Sequence, residues 1–183
     1  YHGSKVADDI QNNSLTRTAF NILGDYIIGP LIALGQFKPE LEIDFDASMK
    51  SLTQTGSNTF NATVAQQVVK DGVLASTENC NKNLKQKDSK GIHYYSWTGV
   101  AQATNALDID TILMQLGPLS YGSKDNDGMV SRCSAFMGKV IHDQYKLNHT
   151  DLANMMFGLK GVFAPDPVAL YRQHANRLKL EGL

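Results

Sequence analysis

Two stretches late in the chain decide the fold: Asn126-Asp127-Gly128-Met129-Val130-Ser131-Arg132-Cys133 and, further on, Asn148-His149-Thr150-Asp151. Asp127-Gly128 is typical of a turn, and an apolar pair follows it directly. His149 comes 22 residues after Asp127 and precedes a predicted helix over residues 152–159. These patterns predict an aspartate and a histidine on two separate loops.

An aspartate followed by a histidine on late loops is the chain order of the acid and the base in the catalytic triads of α/β-hydrolases. In such a triad the histidine takes the proton of a serine, and the aspartate holds the other ring nitrogen. An ordinary turn and a surface histidine would fit the same residues, so spacing alone leaves both interpretations open. The chain contains no Gly-x-Ser-x-Gly motif, no glycine-rich nucleotide motif and no His-Glu-x-x-His motif.

The composition is that of an ordinary globular domain. The 183 residues include 17 Lys and Arg and 18 Asp and Glu, which gives a formal net charge of −1. The length fits one domain, and the near-neutral charge argues against a nucleic-acid-binding surface spread over the protein. No run of 18 consecutive apolar residues is present, so the sequence predicts no membrane-spanning helix.

The chain has two cysteines, Cys80 and Cys133, which lie 53 positions apart. Neither belongs to a Cys-x-x-Cys pair, and no histidine stands at zinc-finger spacing. The cysteines are compatible with two buried thiols in a cytosolic protein or with one disulfide in an exported one.

Residues 15–35 form the most apolar segment. Its large apolar residues repeat at helical spacing, at Phe20, Leu23, Ile27, Leu31 and Leu34. Helix-breaking residues interrupt the repeat, at Gly24, Gly29-Pro30 and Gly35. The pattern fits a core helix, and it also fits an amphipathic flap that covers an apolar surface part of the time.

Other elements are predicted from caps and turns. We expect helices over residues 46–53, with Asp46 as the cap and Gly56 beyond the end, and over residues 57–69. The turn at residues 88–91 and the β-branched and aromatic residues 92–97 predict a hairpin. Residues 117–118 and 120–128 are expected to be loop. A last helix is predicted to begin at Asp166-Pro167.

Seven strings, in order along the chain, together resemble the C-terminal part of the foldase-dependent secreted triacylglycerol lipases of the Pseudomonas and Burkholderia type. Singly each is weak, but jointly they are very specific. They are His2-Gly3-Ser4, Tyr94-Tyr95-Ser96-Trp97-Thr98-Gly99, Leu107-Asp108, residues 126–133, residues 148–151, Phe157-Gly158-Leu159, and Tyr171-Arg172-Gln173-His174-Ala175-Asn176-Arg177-Leu178.

The resemblance implies an α/β fold, namely the C-terminal portion of an α/β-hydrolase domain over residues 1–183, with a helical lid at residues 12–36 and a small β-hairpin. It implies that Asp127 is the triad acid, that His149 is the base, and that the nucleophilic serine is not in this chain. It also implies a structural Ca²⁺ and one disulfide. The implied calcium ligands are the side chains of Asp108 and Asp151 and the main-chain oxygens of Met155 and Leu159, and the implied disulfide joins Cys80 to Cys133.

The function that the resemblance implies is Ser-His-Asp hydrolysis of long-chain triacylglycerols at a lipid–water interface. The enzyme would be secreted through the periplasm with the help of a membrane-anchored, lipase-specific foldase, and no nucleic-acid partner is expected. Because the family's nucleophile and oxyanion-hole residues precede the His2-Gly3-Ser4 string, we expect the chain to be a fragment that is inactive alone. Two alternatives stay open: a catalytically inactive truncated relative that retains calcium and partner binding, and a carboxylesterase for shorter esters.

Overall fold

The structure is a computed structural model that describes residues 1–25, 44–105, 114–122, 125–155 and 158–183. In chain order its elements are α1 (Lys5–Asn12), α2 (Ser14–Leu23), α3 (Phe45–Leu52), α4 (Gln54–Thr63), α5 (Gln66–Lys70), β1 (Tyr95–Gly99), α6 (Leu116–Tyr121), a 3₁₀ helix (Arg132–Ala135), β2 (Lys139–Tyr145), α7 (His149–Leu152) and α8 (Pro167–Leu180). No helix in the described ranges is long and apolar enough to span a membrane.

A small helical core is built around α1. Ser4 caps this helix by accepting a hydrogen bond from the backbone N–H of Ala7 at 3.2 Å. Val6, Ala7 and Ile10 share one face of α1 and are buried together with Met49 of α3. The side chains packed against this cluster come from α2, α3, α6 and the turn that carries Asp127; they are Phe20, Phe45, Leu116, Tyr121 and Met129.

The second helix, α2, is capped by Asn13, whose side chain accepts hydrogen bonds from the backbone N–H groups of Leu15 and Thr16. Phe20 packs inward against the core, whereas Leu15 is 82% exposed and Ile22 is 55% exposed. The structure describes residues 12–25 of the predicted lid. Ile27, Leu31 and Leu34 lie outside the described residues.

The sheet of the described chain pairs β1 with β2 in parallel, with Tyr95 opposite Lys139 and Gly99 opposite Tyr145. Parallel strands need a long crossover, and the chain between these two includes α6 and the Asp127 turn. A Cβ on Gly99 would collide with the carbonyl oxygen of Leu147, so this glycine permits the strand end to approach the segment that leads to His149.

The turn predicted at residues 88–91 is present, but the strand after it is shorter than expected. Lys87 and His93 form one isolated antiparallel bridge, and Asp88 Oδ1 accepts hydrogen bonds from the N–H groups of Lys90 and Ile92. The regular strand begins at Tyr95 and pairs in parallel with β2. The chain therefore reverses at this turn with one antiparallel bridge, and it does not form a regular two-stranded hairpin there.

Several predicted boundaries are wrong. The cap of α3 is Asp44, and Asp46 instead bonds to Lys50 and to side chains of α1 and α2. Gly56 lies inside α4. The helix predicted over residues 57–69 is divided into α4 and α5, and part of the loop predicted after residue 116 is α6. Pro118 fits there because the first turn of a helix needs no backbone donors.

The terminal helix α8 begins as predicted, with Asp166 as the cap and Pro167 in the first position. Its aromatic residues pack edge-on against β1: Trp97 lies 5.5 Å from Tyr171 and 5.3 Å from His174, measured between ring centroids. This packing covers one side of β1.

Candidate active site

Asp127 lies in a tight turn closed by an antiparallel bridge between Asn126 and Ser131. Its Oδ1 accepts hydrogen bonds from the backbone N–H groups of Met129, at 3.1 Å, and Val130, at 2.8 Å. The residue is only 3% exposed. One carboxylate oxygen is therefore fixed by the turn, which leaves the other to face a partner outside it.

The glycine after Asp127 is required by the backbone. Gly128 has φ of +100°, a conformation that L-residues rarely adopt. A Cβ at this position would come within 2.6 Å of the Met114 sulfur. Asp127-Gly128 thus forms an ordinary turn, and the same turn positions a candidate catalytic carboxylate.

His149 is the first residue of α7, four positions after the end of β2. The preceding residue, Asn148, caps the helix: its side chain accepts from the backbone N–H of Asp151 at 2.8 Å, and its own N–H donates to the Asp151 carboxylate at 3.2 Å. A reciprocal cap of this kind fixes the entry of the chain into the helix. The sequence had placed the helix after Asp151, whereas His149 is already its first residue.

The structure brings Asp127 and His149 together. Nδ1 of His149 lies 2.9 Å from Oδ2 of Asp127, and the backbone N–H of His149 donates to the Asp127 carbonyl oxygen at 2.8 Å. The carboxylate is buried, while the histidine side chain is 46% exposed. Within the described residues, no group hydrogen-bonds Nε2, so this ring nitrogen is available to accept a proton.

The pKa of His149 is raised above its usual value. Desolvation is the largest single influence and lowers the pKa, but the hydrogen bond to Asp127 and the negative charge of that residue together outweigh it. A buried carboxylate beside Nδ1 selects the tautomer in which Nε2 is the acceptor, and it stabilises the imidazolium once a proton arrives.

The predicted calcium ligands are only partly described. Asp108 lies outside the described residues, and the described part of the chain holds no cluster of three His, Cys, Asp or Glu side chains that could bind a metal. Asp151 is 1% exposed, and its Oδ1 has no hydrogen-bond partner among the described groups. An unpaired, buried carboxylate oxygen suits a hard cation such as Ca²⁺.

Met155 and Leu159 follow α7, and both residues are about half exposed. After α7 the chain makes a Schellman-type ending: Met155 N–H donates to Thr150 O, Asn154 N–H donates to Asp151 O, and Asn154 has φ of 53°. Any contribution of Met155 and Leu159 to a metal site would come from their backbone carbonyls, as the resemblance implies.

A disulfide joins Cys80 to Cys133, which confirms the predicted pairing. Cys133 belongs to the 3₁₀ helix that directly follows the Asp127 turn. Arg132 beside it pairs with Asp125 at 2.8 Å, at the opposite end of the turn. The bond therefore ties the turn to a distant part of the chain.

Two serines, Ser4 and Ser120, could be mistaken for a nucleophile, but neither lies in the local structure that a nucleophile needs. Ser4 caps α1, and its hydroxyl donates to the carbonyl oxygen of Met129. Ser120 is buried inside α6, a helix rather than the predicted loop. Neither stands on a strand–turn–helix elbow of the kind that presents a nucleophilic serine.

Sequence reasoning missed three amide side chains beside the acid and the base: Gln102, Asn126 and Asn148. Asn126 and Asn148 are almost fully buried, and Gln102 is half-buried between them. Asn148 could have been found, because Asn followed three residues later by Asp is a helix-cap pattern. Gln102 carries no local signal.

No family model matches the chain. Among curated proteins, it is 44% identical over 137 residues to a triacylglycerol lipase of Vibrio cholerae, covering 75% of the chain and 41% of the relative. It is 44% identical to triacylglycerol lipases of Pseudarthrobacter phenanthrenivorans and Burkholderia plantarii, in alignments that cover all of the chain and 65% and 58% of those relatives.

The chain thus spans between about two fifths and two thirds of the length of these relatives. The similarity extends across the whole chain, including the Asp127 turn and the His149 helix. With its helices, its parallel strand pair and this similarity, the chain belongs to the family of bacterial triacylglycerol lipases.

Proposed function

We propose that this chain supplies the acid and the base of a Ser-His-Asp lipase that hydrolyses long-chain triacylglycerols. The observation that carries the proposal is the 2.9 Å contact between His149 Nδ1 and the buried carboxylate of Asp127, in a histidine whose side chain is partly exposed. The nucleophile and the oxyanion donors would come from residues outside this chain.

In the proposed reaction, Nε2 of His149 removes the hydroxyl proton as the serine oxygen attacks the ester carbonyl. The positive charge that forms on the ring is stabilised by Asp127, which keeps the Nδ1 proton oriented. His149 then gives its proton to the departing glycerol oxygen, and the cycle repeats with water to release the fatty acid.

The proposed substrate is apolar, and two features support a lipid rather than a small soluble ester. The relatives are named triacylglycerol lipases. Leu15 and Ile22 lie seven residues apart on α2, two helical turns, and both are exposed. Within the proposed lid at residues 12–36, such a face would contact lipid when the lid opens at a lipid–water interface.

We also propose a structural calcium held by Asp108, Asp151 and the main-chain oxygens of Met155 and Leu159. The unpaired Oδ1 of Asp151 supports it. The ion would stabilise the loop that follows α7, and it takes no part in bond making. Because Asp151 is two residues from His149 and caps the same helix, a well-held carboxylate keeps the base in place.

Secretion through the periplasm with a membrane-anchored foldase is the remaining part of the proposal. The disulfide supports it, because structural disulfides persist in oxidising compartments. The foldase itself is proposed on the family resemblance alone.

The test uses the full-length enzyme produced with its foldase, assayed on emulsified triolein and on a soluble short-chain p-nitrophenyl ester. We expect faster hydrolysis of the emulsion, loss of both activities in His149→Ala, and full activity in His142→Ala, which removes an exposed histidine of β2. Activity on the soluble ester alone would favour a carboxylesterase. No activity on either substrate would favour a non-catalytic relative.

A further inference from the structure

We propose that Gln102 is a positioning residue that holds two segments at a fixed separation. They are the turn at residues 126–131 that carries Asp127, the acid turn, and α7, which carries His149, the base helix. Gln102 contacts the residue immediately before Asp127 and the residue immediately before His149. This inference rests on the proposed function, and it assigns to the same site a residue that touches neither the acid nor the base.

The first contact is with the acid turn. The side-chain Nε2 of Gln102 donates to the backbone carbonyl oxygen of Asn126, and it lies 3.3 Å from Asn126 Oδ1. The same Oδ1 accepts the backbone N–H of Gly128 at 3.0 Å. Asn126 is 1% exposed, so water is largely excluded from these groups. Gln102 therefore satisfies a buried carbonyl one peptide away from Asp127.

The second contact is with the base helix. Asn148 Nδ2 is 3.5 Å from the backbone carbonyl oxygen of Gln102 and 3.2 Å from the Thr104 hydroxyl oxygen. Asn148 Oδ1 accepts the Asp151 N–H and the Thr150 hydroxyl, at 2.8 and 3.0 Å. The side chain that caps the His149 helix is thus bonded at one end to the helix and at the other to the segment that carries Gln102.

The position of Gln102 follows from the parallel sheet. The segment after β1 runs beside the segment after β2: Val100 N–H donates to Tyr145 O at 2.9 Å, and Ala101 N–H donates to Leu147 O at 3.3 Å. Gln102 comes next in this ladder, and its side chain reaches across to the Asp127 turn. Gln102 thus bonds directly to both Asn126 and Asn148.

A bridge of this kind affects the chemical step more than substrate binding. Proton transfer depends on the reacting groups being held within tenths of an ångström, and a misplacement of about 1 Å can cost on the order of 100-fold in rate. Removal of the Gln102 amide leaves the Asn126 carbonyl without this donor, and the acid turn is then free to shift relative to His149. We expect kcat to fall about 10- to 100-fold, with KM changed by less than about two-fold.

The test compares Gln102→Met and Gln102→Glu with Gln86→Met in the full-length enzyme. Both Gln102 variants remove the donor, and glutamate keeps the shape of the side chain. Gln86 is the matched control: it is also half-buried, and it donates to Tyr95 OH at 2.8 Å, a bond that fastens β1 rather than the acid turn. The readouts are kcat and KM on a soluble ester, the thermal midpoint, and the low-field proton resonance of the His149 Nδ1–H.

The proposal predicts a lower kcat in both Gln102 variants and an upfield shift or loss of the Nδ1–H resonance, with neither change in Gln86→Met. An unchanged resonance and kcat in the Gln102 variants would overturn it. Equal effects in all three variants, following their thermal midpoints, would also overturn it, because they would reflect general stability. If the full-length enzyme hydrolyses no ester, the proposed function fails, and the resonance alone still decides the role of Gln102.

Discussion

His149 and Asp127 are joined twice, through the backbone and through the side chains. The N–H of His149 donates to the Asp127 carbonyl at 2.8 Å, and the ring nitrogen Nδ1 lies 2.9 Å from the Asp127 carboxylate. The backbone bond joins main-chain atoms only, so it does not depend on the side chain at position 127. A substitution at Asp127 can therefore change the chemistry of the pair without separating the two loops.

The first prediction concerns Asp127→Asn. The asparagine oxygen can still accept the N–H groups of Met129 and Val130, so the turn should persist. Its amide, however, would donate to Nδ1 of His149 and move the ring proton to Nε2, which can then no longer accept one. We expect kcat on a soluble ester to fall on the order of 10⁴-fold in the full-length enzyme.

The control for that variant is Asp125→Asn, which changes the exposed partner of Arg132 at the end of the same turn. It should retain most of the activity. If Asp127→Asn loses only a few-fold in kcat while folding normally, Asp127 is not the triad acid.

The second prediction is a stability change in acid. Asp46 connects three helices, since its carboxylate contacts Gln11 of α1, Asn21 of α2 and Lys50 of α3. The hydrogen bond from Lys50, followed by those from Asn21 and Gln11, lowers the pKa of Asp46 to about 2. A carboxyl whose pKa is depressed by folding stabilises the folded state above its unfolded pKa, and this contribution is lost as the pH falls towards the folded value.

The difference in unfolding free energy between the wild type and Asp46→Asn should therefore be constant near neutral pH and shrink between about pH 4 and pH 2. Urea unfolding at a series of pH values measures it. Lys50→Met removes the largest cause of the lowered Asp46 pKa, so in this variant the loss of stability should occur at higher pH. A difference that stays constant down to about pH 2 would show that Asp46 does not have this role.

The third prediction concerns the disulfide. Its two cysteines are 53 residues apart, and the chain-entropy relation assigns roughly 4 kcal/mol to closing a loop of that size. Cys80→Ala/Cys133→Ala should lose about that much unfolding free energy in urea, and wild type treated with a reductant should match it. A loss below about 1 kcal/mol would mean that the bond constrains little in the unfolded chain.

The sequence predicted the contact between Asp127 and His149 and the disulfide better than it predicted the helix boundaries. Asp127, His149 and Cys133 lie in short strings that could be compared with a family, and Asp166-Pro167 is a local helix start that needs no tertiary information. Gly56 shows where local reasoning fails. It was predicted to end a helix, but it lies inside α4, where any Cβ would collide with the Lys50 carbonyl of α3. A glycine for close packing and a glycine for termination look the same in a sequence.

The polar contacts of Gln102 with residues far away in the chain could not be predicted from the sequence either. Gln102 and Asn148 are 46 residues apart, and Gln102 and Asn126 are 24 apart. No periodicity connects residues at such separations. The parallel pairing of β1 with β2 brings them together, and the sequence had predicted a hairpin for β1. The sequence did not indicate the parallel partner of β1, so the contacts of Gln102 beside the candidate active site could not be predicted.

The fourth prediction tests the calcium proposal in the full-length enzyme. Chelation with EGTA should lower the thermal midpoint, and added Ca²⁺ should restore it. Asp151→Asn should abolish this dependence, because it removes the charge of the buried, unpaired oxygen. Asp143→Asn is the control: Asp143 pairs with Lys82 at 2.8 Å, so its loss should reduce stability without changing the response to Ca²⁺. A midpoint insensitive to EGTA in the wild type would contradict the proposal.

The fifth prediction concerns the outward face of α2. Phe20 fastens this helix to the core, whereas Leu15 and Ile22 lie on one exposed side of it, 82% and 55% accessible. If that side meets lipid when the proposed lid opens, Leu15→Ser/Ile22→Ser should reduce hydrolysis of emulsified triolein several-fold. Hydrolysis of a soluble ester should be nearly unchanged, because the substituted side chains contact neither Asp127 nor His149.

The matched control for the α2 variant is Val64→Ser, which removes an apolar side chain that is 71% exposed at the end of α4. It should leave both activities intact, because a single exposed valine outside the lid is ordinary surface. The ratio of emulsion to soluble-ester activity is the quantity to compare, since it cancels differences in enzyme concentration and folding yield. A ratio unchanged in Leu15→Ser/Ile22→Ser would place the lipid-contacting surface elsewhere, and an equal loss on both substrates would identify α2 as a structural helix.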